Sequence, residues 1–298
     1  SSTLIDRACN SVPEFGELYR KLKRSVELAG KSQSTLTNYS RCLAHMSLHF
    51  KCSPLVLDEE QVLDYLHLLK SQHKTPSDSF FKHTIYGLRY AYRISGMKAM
   101  RVMLPSIERP HKLPVVLSRS EVKQLLKTPK LLKHRLVLAM LYGCGLRCFE
   151  LRSLQLKDLD FDRKMLHIRQ GKGRKDRYVP LSQMQVRGLK KYIVADNPTT
   201  WCFNGNDRKG DPAQLSAMGV QWIVREARKH SGIQKEITTH SLRHSYATHL
   251  LEMGLDIISV KDLLGHADIQ TTLTYLHVAQ LGRQKPFSPL DRLYKEQA

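Results

Sequence analysis

The sequence predicts a mainly α-helical protein with one small antiparallel β-sheet, divided into two domains. Three observations carry this. Apolar stripes at helical spacing run through most of the chain, a proline-rich break falls after its first third, and two short β-like runs flank a basic turn.

Within the first third, Phe15, Leu18, Leu22 and Val26 fall on one helical face, with Pro13 near the start and Gly30 past the end. Leu36, Tyr39, Leu43, Met46 and Phe50 make a second stripe. Asp58 and Gln61 have the spacing of a capping box ahead of Val62, Leu66 and Leu69, and Phe81, Ile85, Leu88 and Tyr92 form a fourth face closed by Gly96. A four-helix bundle is the expectation. Pro105, Pro110 and Pro114 then interrupt helical patterning, which places a domain over residues 1–107, a linker over 108–117 and a second domain over 118–298. The second domain opens on another capping box, Ser118 to Glu121, followed by an apolar helix from Leu132 to Tyr142 that Gly143 and Gly145 end. Met165–Gln170 and Arg177–Leu181 read as a hairpin whose turn carries Lys172, Arg174 and Lys175, and helices resume from Gln183.

Charge narrows the function. The 298 residues carry a formal charge of +21, with 16 Lys and Arg against 10 Asp and Glu in residues 1–110 and 32 against 17 in residues 111–298. So basic a chain repels itself, and the polyanion that most commonly compensates is nucleic acid. Both halves are basic, so both are expected to touch it; Arg20, Lys21, Lys23 and Arg24 are one candidate face. No run of 18 apolar residues and no secretory signal segment occurs, which implies a soluble, unexported, cytoplasmic protein with no membrane partner. The six cysteines (Cys9, Cys42, Cys52, Cys144, Cys148, Cys202) form no C-x-x-C pair and read as reduced core thiols.

Three familiar motifs fail. Gly171-Lys172-Gly173 has Leu166 where an ATP-binding loop needs its first glycine and no Ser or Thr after the lysine, so no nucleotide is expected. Asp158, Asp160 and Asp162 alternate as in a calcium loop, but Arg163 and Arg169 stand where glycine and glutamate are required. His240 and His244 are four apart, as zinc ligands are, without the glutamate of a zinc protease. Neither metal nor other cofactor is implied.

What survives is a set of cations and a phenol. Attack on a phosphodiester builds negative charge on its non-bridging oxygens, and the guanidinium groups of Arg147 and Arg243 offer a planar, permanently charged fork for two of them. A phenol is only about 0.1% ionised at neutral pH, so Tyr275 as nucleophile needs a base or a strongly positive field. His240, on the helical face of Arg243, is a candidate base, and Lys172 on the basic turn is a candidate donor to the leaving oxygen. Arginines take the place of a two-metal clamp in such a site.

In that order, the residues resemble the tyrosine recombinase (phage integrase) family, across essentially the whole chain. Gly145-Leu146-Arg147-Cys148-Phe149-Glu150-Leu151 is similar to its first arginine box, and Gly171-Lys172-Gly173 with Arg177-Tyr178-Val179-Pro180-Leu181 to its hairpin lysine. His240-Ser241-Leu242-Arg243-His244 resembles the second arginine box, and Leu264-Gly265-His266 with Tyr275-Leu276-His277-Val278 the last histidine and the nucleophile. The resemblance implies a helical core-binding domain and a mixed α/β catalytic domain closing as a C-shaped clamp on duplex DNA. It implies cleavage of one strand to a 3′-phosphotyrosyl link at Tyr275 with a free 5′-hydroxyl, then rejoining to a partner strand without ATP. Arg147 and Arg243 would hold the phosphate, Lys172 act as general acid, His240 assist proton transfer, His266 hydrogen-bond the phosphate and Glu150 orient the arginine box. Four protomers on two specific core sites are expected, alone or with a related recombinase, in association with the nucleoid.

Cys148 and Phe149 depart from the smaller or β-branched residues usual beside that arginine. With no arm-binding segment ahead of the bundle and no large insertion between Lys172 and His240, the resemblance points to the compact Xer-like or mobile-element-encoded subtype. Two other functions share parts of this pattern: a type IB topoisomerase-like strand cleavage, and a DNA-binding regulator that does not cleave.

Overall fold

The computed structural model describes residues 2–71, 78–107, 113–169, 176–205, 213–276 and 278–279. The chain forms two compact units, Ser1–Pro110 and His111–Ala298.

Among the described residues, the first unit is six helices: α1 (Leu4–Ser11), α2 (Pro13–Leu28), α3 (Gln33–Phe50), α4 (Glu59–Ser71), α5 (Asp78–Ile94) and α6 (Lys98–Met103). The four expected helices are α2 to α5, and their stripes are the core: Phe15, Leu18, Leu22 and Val26 of α2 are buried against Leu36, Leu43 and Met46 of α3 and Ile85, Leu88 and Tyr92 of α5. Helix α3 is central, packing on α1, α2 and α5. Asp58 and Gln61 exchange the two hydrogen bonds of a capping box at the start of α4, at 2.8 and 3.1 Å. The two additional helices, α1 and α6, are short, eight and six residues, less than the roughly 11-residue window over which helical periodicity is read from sequence.

In the second unit, α7 (Arg119–Lys127) starts on the Ser118–Glu121 capping box and leads into α8 (Leu132–Gly143) and α9 (Cys148–Arg152). A 3-10 turn, Leu156–Asp158, enters a three-stranded antiparallel sheet in the order β1 (Leu159–Asp160), β2 (Met165–Ile168), β3 (Arg177–Pro180). The hairpin register pairs His167 with Tyr178 and Leu166 with Val179. Leu166, Ile168 and Val179 therefore point into the core, while the rings of His167 and Tyr178 stack on the other face at 4.6 Å. The third strand, β1, is two residues long and lies where only a loop of alternating aspartates was legible. Of those, Asp158 pairs with Arg169 at 2.7 Å and Asp160 accepts a turn hydrogen bond from the Arg163 amide.

Helices α10 (Gln183–Asp196), α11 (Ala217–Ser231), α12 (Thr239–Glu252), α13 (Ile257–Leu264) and α14 (Gln270–Leu273) complete the unit. Helix α8 is packed by α7, α9, α10, α11 and α12 and buries Leu136, Val137, Leu138, Met140 and Leu141, an apolar surface nearly all round. Helix α12 is equally enclosed but polar, and several of its buried polar side chains are held by specific partners. Ser245 accepts from the Leu117 amide at 2.9 Å, and His249 pairs with the Tyr142 hydroxyl at 2.9 Å. No helix of the described residues is long and apolar enough to cross a membrane.

Candidate active site

The site is organised by two glycines and the end of one short helix. After α8 the chain turns through Gly145 at φ +58°, where a Cβ would lie 2.4 Å from the Tyr246 ring on α12. Both the left-handed backbone and the close approach require glycine. The turn sets Arg147 at the N-cap of α9 and leaves the Gly145 carbonyl facing α12, where it accepts from Arg243 Nη1 at 2.5 Å.

A helix C-terminus carries unsatisfied carbonyls and the negative end of its dipole, which suits cations. At the end of α13, three consecutive carbonyls each take a different arginine: Leu263 from Arg177 Nε at 2.8 Å, Leu264 from Arg243 Nη2 at 2.6 Å and Gly265 from Arg147 Nη2 at 3.4 Å. Gly265, at φ +62°, leaves room for the Arg177 guanidinium, which a Cβ would approach to 3.0 Å.

Glu150 gathers the same arginines from the other side. Its carboxylate accepts two hydrogen bonds from Arg177 at 2.8 and 2.9 Å, one from Arg147 Nη1 at 2.8 Å and one from the Arg147 amide at 2.8 Å, with Arg243 at 3.8 Å. Burial pushes this carboxyl up, but the hydrogen bonds and charge of Arg177, with those of Arg147, outweigh it and hold the pKa at about 2. Arg243 is 3% exposed; burial and the Arg147 charge bring its pKa down to about 10, which leaves it charged at neutral pH. Three guanidinium charges gathered around one buried carboxylate leave a positive excess, the electrostatic requirement for holding an anion.

Arg147, His240, Arg243, His244, His266 and Tyr275 line one cavity of about 250 Å³. Tyr275 is 3% exposed on the unit's own side chains; burial raises its pKa, and the charges of Arg243 and Arg147 draw it back. The His266 ring stacks 6.2 Å from that of Tyr275 and its Nδ1 meets Thr272 Oγ1 at 2.8 Å. His240 keeps an exposed edge, its pKa lowered by desolvation and by Arg243 and Arg147. The phenol hydroxyl, however, is met not by His240 but by His244 Nδ1, at 3.0 Å. Desolvation, His240 and Arg243 push the His244 pKa down to about 4, so the ring is neutral at physiological pH.

Of the seven residues expected at the site, Arg147, Glu150, His240, Arg243, His266 and Tyr275 are therefore brought together. Lys172, between β2 and β3 in sequence, lies outside the described residues. Two further residues belong to the cluster. His244 had drawn notice as half of a metal-like pair and as the end of the second arginine box, and Arg177 as the residue that opens the strand after the hairpin lysine, neither with a role of its own. Their partners lie 31 and 27 positions away in sequence, so spacing alone gives no signal for either.

A helical scaffold that converges guanidinium forks and a phenol on one cavity defines a class, enzymes that transfer a phosphodiester to tyrosine. The model of the phage integrase family matches residues 115–281. A tyrosine recombinase XerA of Thermococcus kodakarensis is 32% identical over 280 residues, covering 89% of this chain and 92% of the relative. A tyrosine recombinase of Pseudothermotoga lettingae is 38% identical over 243 residues, 78% and 81% of the two chains. Among solved structures, the XerH site-specific recombinase bound to a palindromic difH substrate, in a post-cleavage complex, shares the fold with a TM-score of 0.68 at 21% identity, over 89% of this chain and 82% of that one. The chain belongs to the phage integrase family and is a site-specific tyrosine recombinase. This separates it from the topoisomerase-like and non-cleaving alternatives.

Proposed function

We propose that this recombinase cuts and rejoins duplex DNA at paired core sites through a 3′-phosphotyrosyl link to Tyr275. The observation that carries the proposal is the single cavity lined by Arg147, Arg243 and Tyr275. Arg147 and Arg243 bind the two non-bridging oxygens of the scissile phosphate and stabilise the charge that grows there in the pentacoordinate state. Their orientation is set before DNA arrives, because backbone carbonyls and Glu150 accept two hydrogen bonds from each guanidinium. His266 donates to the phosphate from the Tyr275 side, and His240 assists proton transfer on the exposed side. Lys172 protonates the leaving 5′-oxygen. Because the phosphotyrosine conserves the energy of the broken bond, rejoining needs no nucleotide.

Residues 1–107 act as the core-binding domain and residues 118–298 as the catalytic domain, both engaging duplex DNA through their basic surfaces. Four protomers assemble on two sites, alone or with a related recombinase, in the cytoplasm at the nucleoid. The test is a nicked suicide duplex, from which the 5′-hydroxyl strand diffuses away after cleavage. The wild-type chain is expected to accumulate as a covalent complex, and Tyr275→Phe to form none while its DNA affinity stays within about threefold. A covalent complex in Tyr275→Phe would refute the nucleophile.

A further inference from the structure

Tyrosine attack requires that the phenolic proton go somewhere, and the side chain in hydrogen-bonding contact with that proton's oxygen is His244. Its Nδ1 lies 3.0 Å from Tyr275 Oη, with the rings 5.5 Å apart and tilted by 50°. His244 follows Arg243 on α12, so the residue that would grip the phosphate and the residue that touches the nucleophile share one rigid element. The His240 ring stands 6.3 Å from that of His244, in the same cavity.

We propose that His244 is the general base of strand cleavage. The claim rests on Tyr275 being the nucleophile. As Tyr275 Oη bonds to phosphorus, the Oη–H bond breaks and its proton passes to His244 Nδ1. The P–O5′ bond breaks at the far side, and the departing oxygen keeps the electron pair and takes its proton from the general acid, Lys172. In rejoining, an incoming 5′-hydroxyl gives up its proton to that acid's conjugate base, and His244 returns its own proton to the leaving phenolate. Protons and electrons balance over the two steps.

The surroundings make this base conditional on DNA. His244 faces His240 and Arg243 from its own helix, Arg147 from the turn before α9, and His266, Asp268 and Tyr275 from the segment after α13. Without substrate, desolvation, His240 and the Arg243 charge oppose a proton on the imidazole, so the ring is neutral and Nδ1 is an acceptor for the phenol. A phosphodiester bound by Arg147 and Arg243 offsets the Arg243 part of that opposition, and the negative charge that accumulates in the transition state favours the proton further. The affinity of His244 for a proton thus rises when a phosphate is present to be attacked. An unoccupied protein keeps its tyrosine protonated.

The test is the rate of covalent-complex formation by the full chain on the nicked duplex, for wild type, His244→Gln and His244→Ala. Glutamine keeps a hydrogen-bonding group near Oη but cannot take the proton. Its cleavage rate is expected to fall by about 10²- to 10⁴-fold, the usual contribution of a positioned base, with DNA affinity within a few-fold of wild type. Two chemical variants separate a base from a structural role. A 5′-bridging phosphorothiolate, whose sulfur leaves without a proton, should restore Lys172→Ala but leave His244→Gln slow. A tetrafluorotyrosine at position 275, already ionised at neutral pH, should restore His244→Gln and His244→Ala to within about tenfold of wild type carrying the same residue, because an ionised nucleophile needs no base. Wild-type rates in His244→Gln would overturn the proposal, as would a defect that the fluorinated tyrosine does not relieve or that the phosphorothiolate does. A wild-type chain that never links to DNA would instead overturn the nucleophile itself.

Discussion

Both oxygens of the Glu150 carboxylate are held by the Arg177 guanidinium, at 2.9 and 2.8 Å, while the same carboxylate receives Arg147. Arg177 stands at the start of β3, the strand that follows Lys172 in sequence, and its Nε is tied to the Leu263 carbonyl at the end of α13. One buried fork therefore joins the sheet, the first arginine box and the helix that precedes Tyr275. Its proposed role is positioning, since it reaches Arg147, the proposed phosphate ligand, through Glu150.

Replacing Arg177 by lysine keeps the charge but removes the bidentate geometry. Arg177→Lys is expected to lower the cleavage rate on the nicked duplex by about 10- to 100-fold, in line with losses seen when supporting contacts are removed, and to leave DNA affinity nearly unchanged. Single-turnover rates at saturating protein, set beside binding isotherms, make the comparison. Equal losses in rate and affinity would argue against a positioning role.

Glu150 also makes stability depend on pH. Its folded pKa of about 2 lies below the ordinary value of 4.5, so its contribution is complete above pH 4.5 and is lost as pH falls toward 2. The size is on the order of 3 kcal/mol at neutral pH for a buried group with this shift. Glu150→Gln should be destabilised by a comparable amount at pH 7, and its deficit relative to wild type should shrink between pH 4.5 and 2. Urea midpoints across that range check this, and a deficit independent of pH would count against it.

These two relationships show where sequence reading stopped. Helices α2 to α5 were legible because each buries one face, and a stripe such as Phe15, Leu18, Leu22 and Val26 records that burial directly. Helix α12 buries nearly all its faces, so its polar residues break any stripe; what it holds was legible only through the order of its motif residues, His240 and Arg243. His244 and Arg177 stand inside motif segments too, but the order of those segments attached no role to either. Their meaning is a 3.0 Å contact with Tyr275 and a fork on Glu150, distances that exist only once α12, β3 and α13 are packed. Strand β1 escaped for a simpler reason, its two residues being a single alternation where about four are needed to show a pattern.

Gly145 tests the turn that joins the two arginines. An alanine there meets Tyr246 at 2.4 Å and must also hold φ near +58°. The backbone strain costs about 1–2 kcal/mol for a non-glycine residue, and the overlap adds about 1–3 kcal/mol of overpacking. Gly145→Ala is expected to lose about 2–5 kcal/mol of stability, the sum of those two costs. Tyr246→Leu in the same chain should return part of the loss by opening space, while the backbone part remains. Urea unfolding of the single and double variants separates the two, and full recovery in the double variant would show that the left-handed turn carries no strain.

The +21 charge makes its own prediction for binding. Each phosphate neutralised by a lysine or arginine releases condensed counterion, so log K falls against log salt with a slope of about −0.9 per contact. A chain gripping DNA with both basic units should make at least about six such contacts, which gives a loss of about 10³-fold between 50 and 200 mM salt. Arg243 lies buried with two of its N–H groups on backbone carbonyls, whereas the surface residues Arg20, Lys23 and Arg24 have no such anchors among their hydrogen bonds. Neutralising those three together should therefore flatten the slope by about 3 if they lie on the duplex, with little change in the cleavage rate at saturating protein. Titrations over that salt range read the slope directly. An unchanged slope would remove α2 from the DNA-facing surface and leave its charges to solvent.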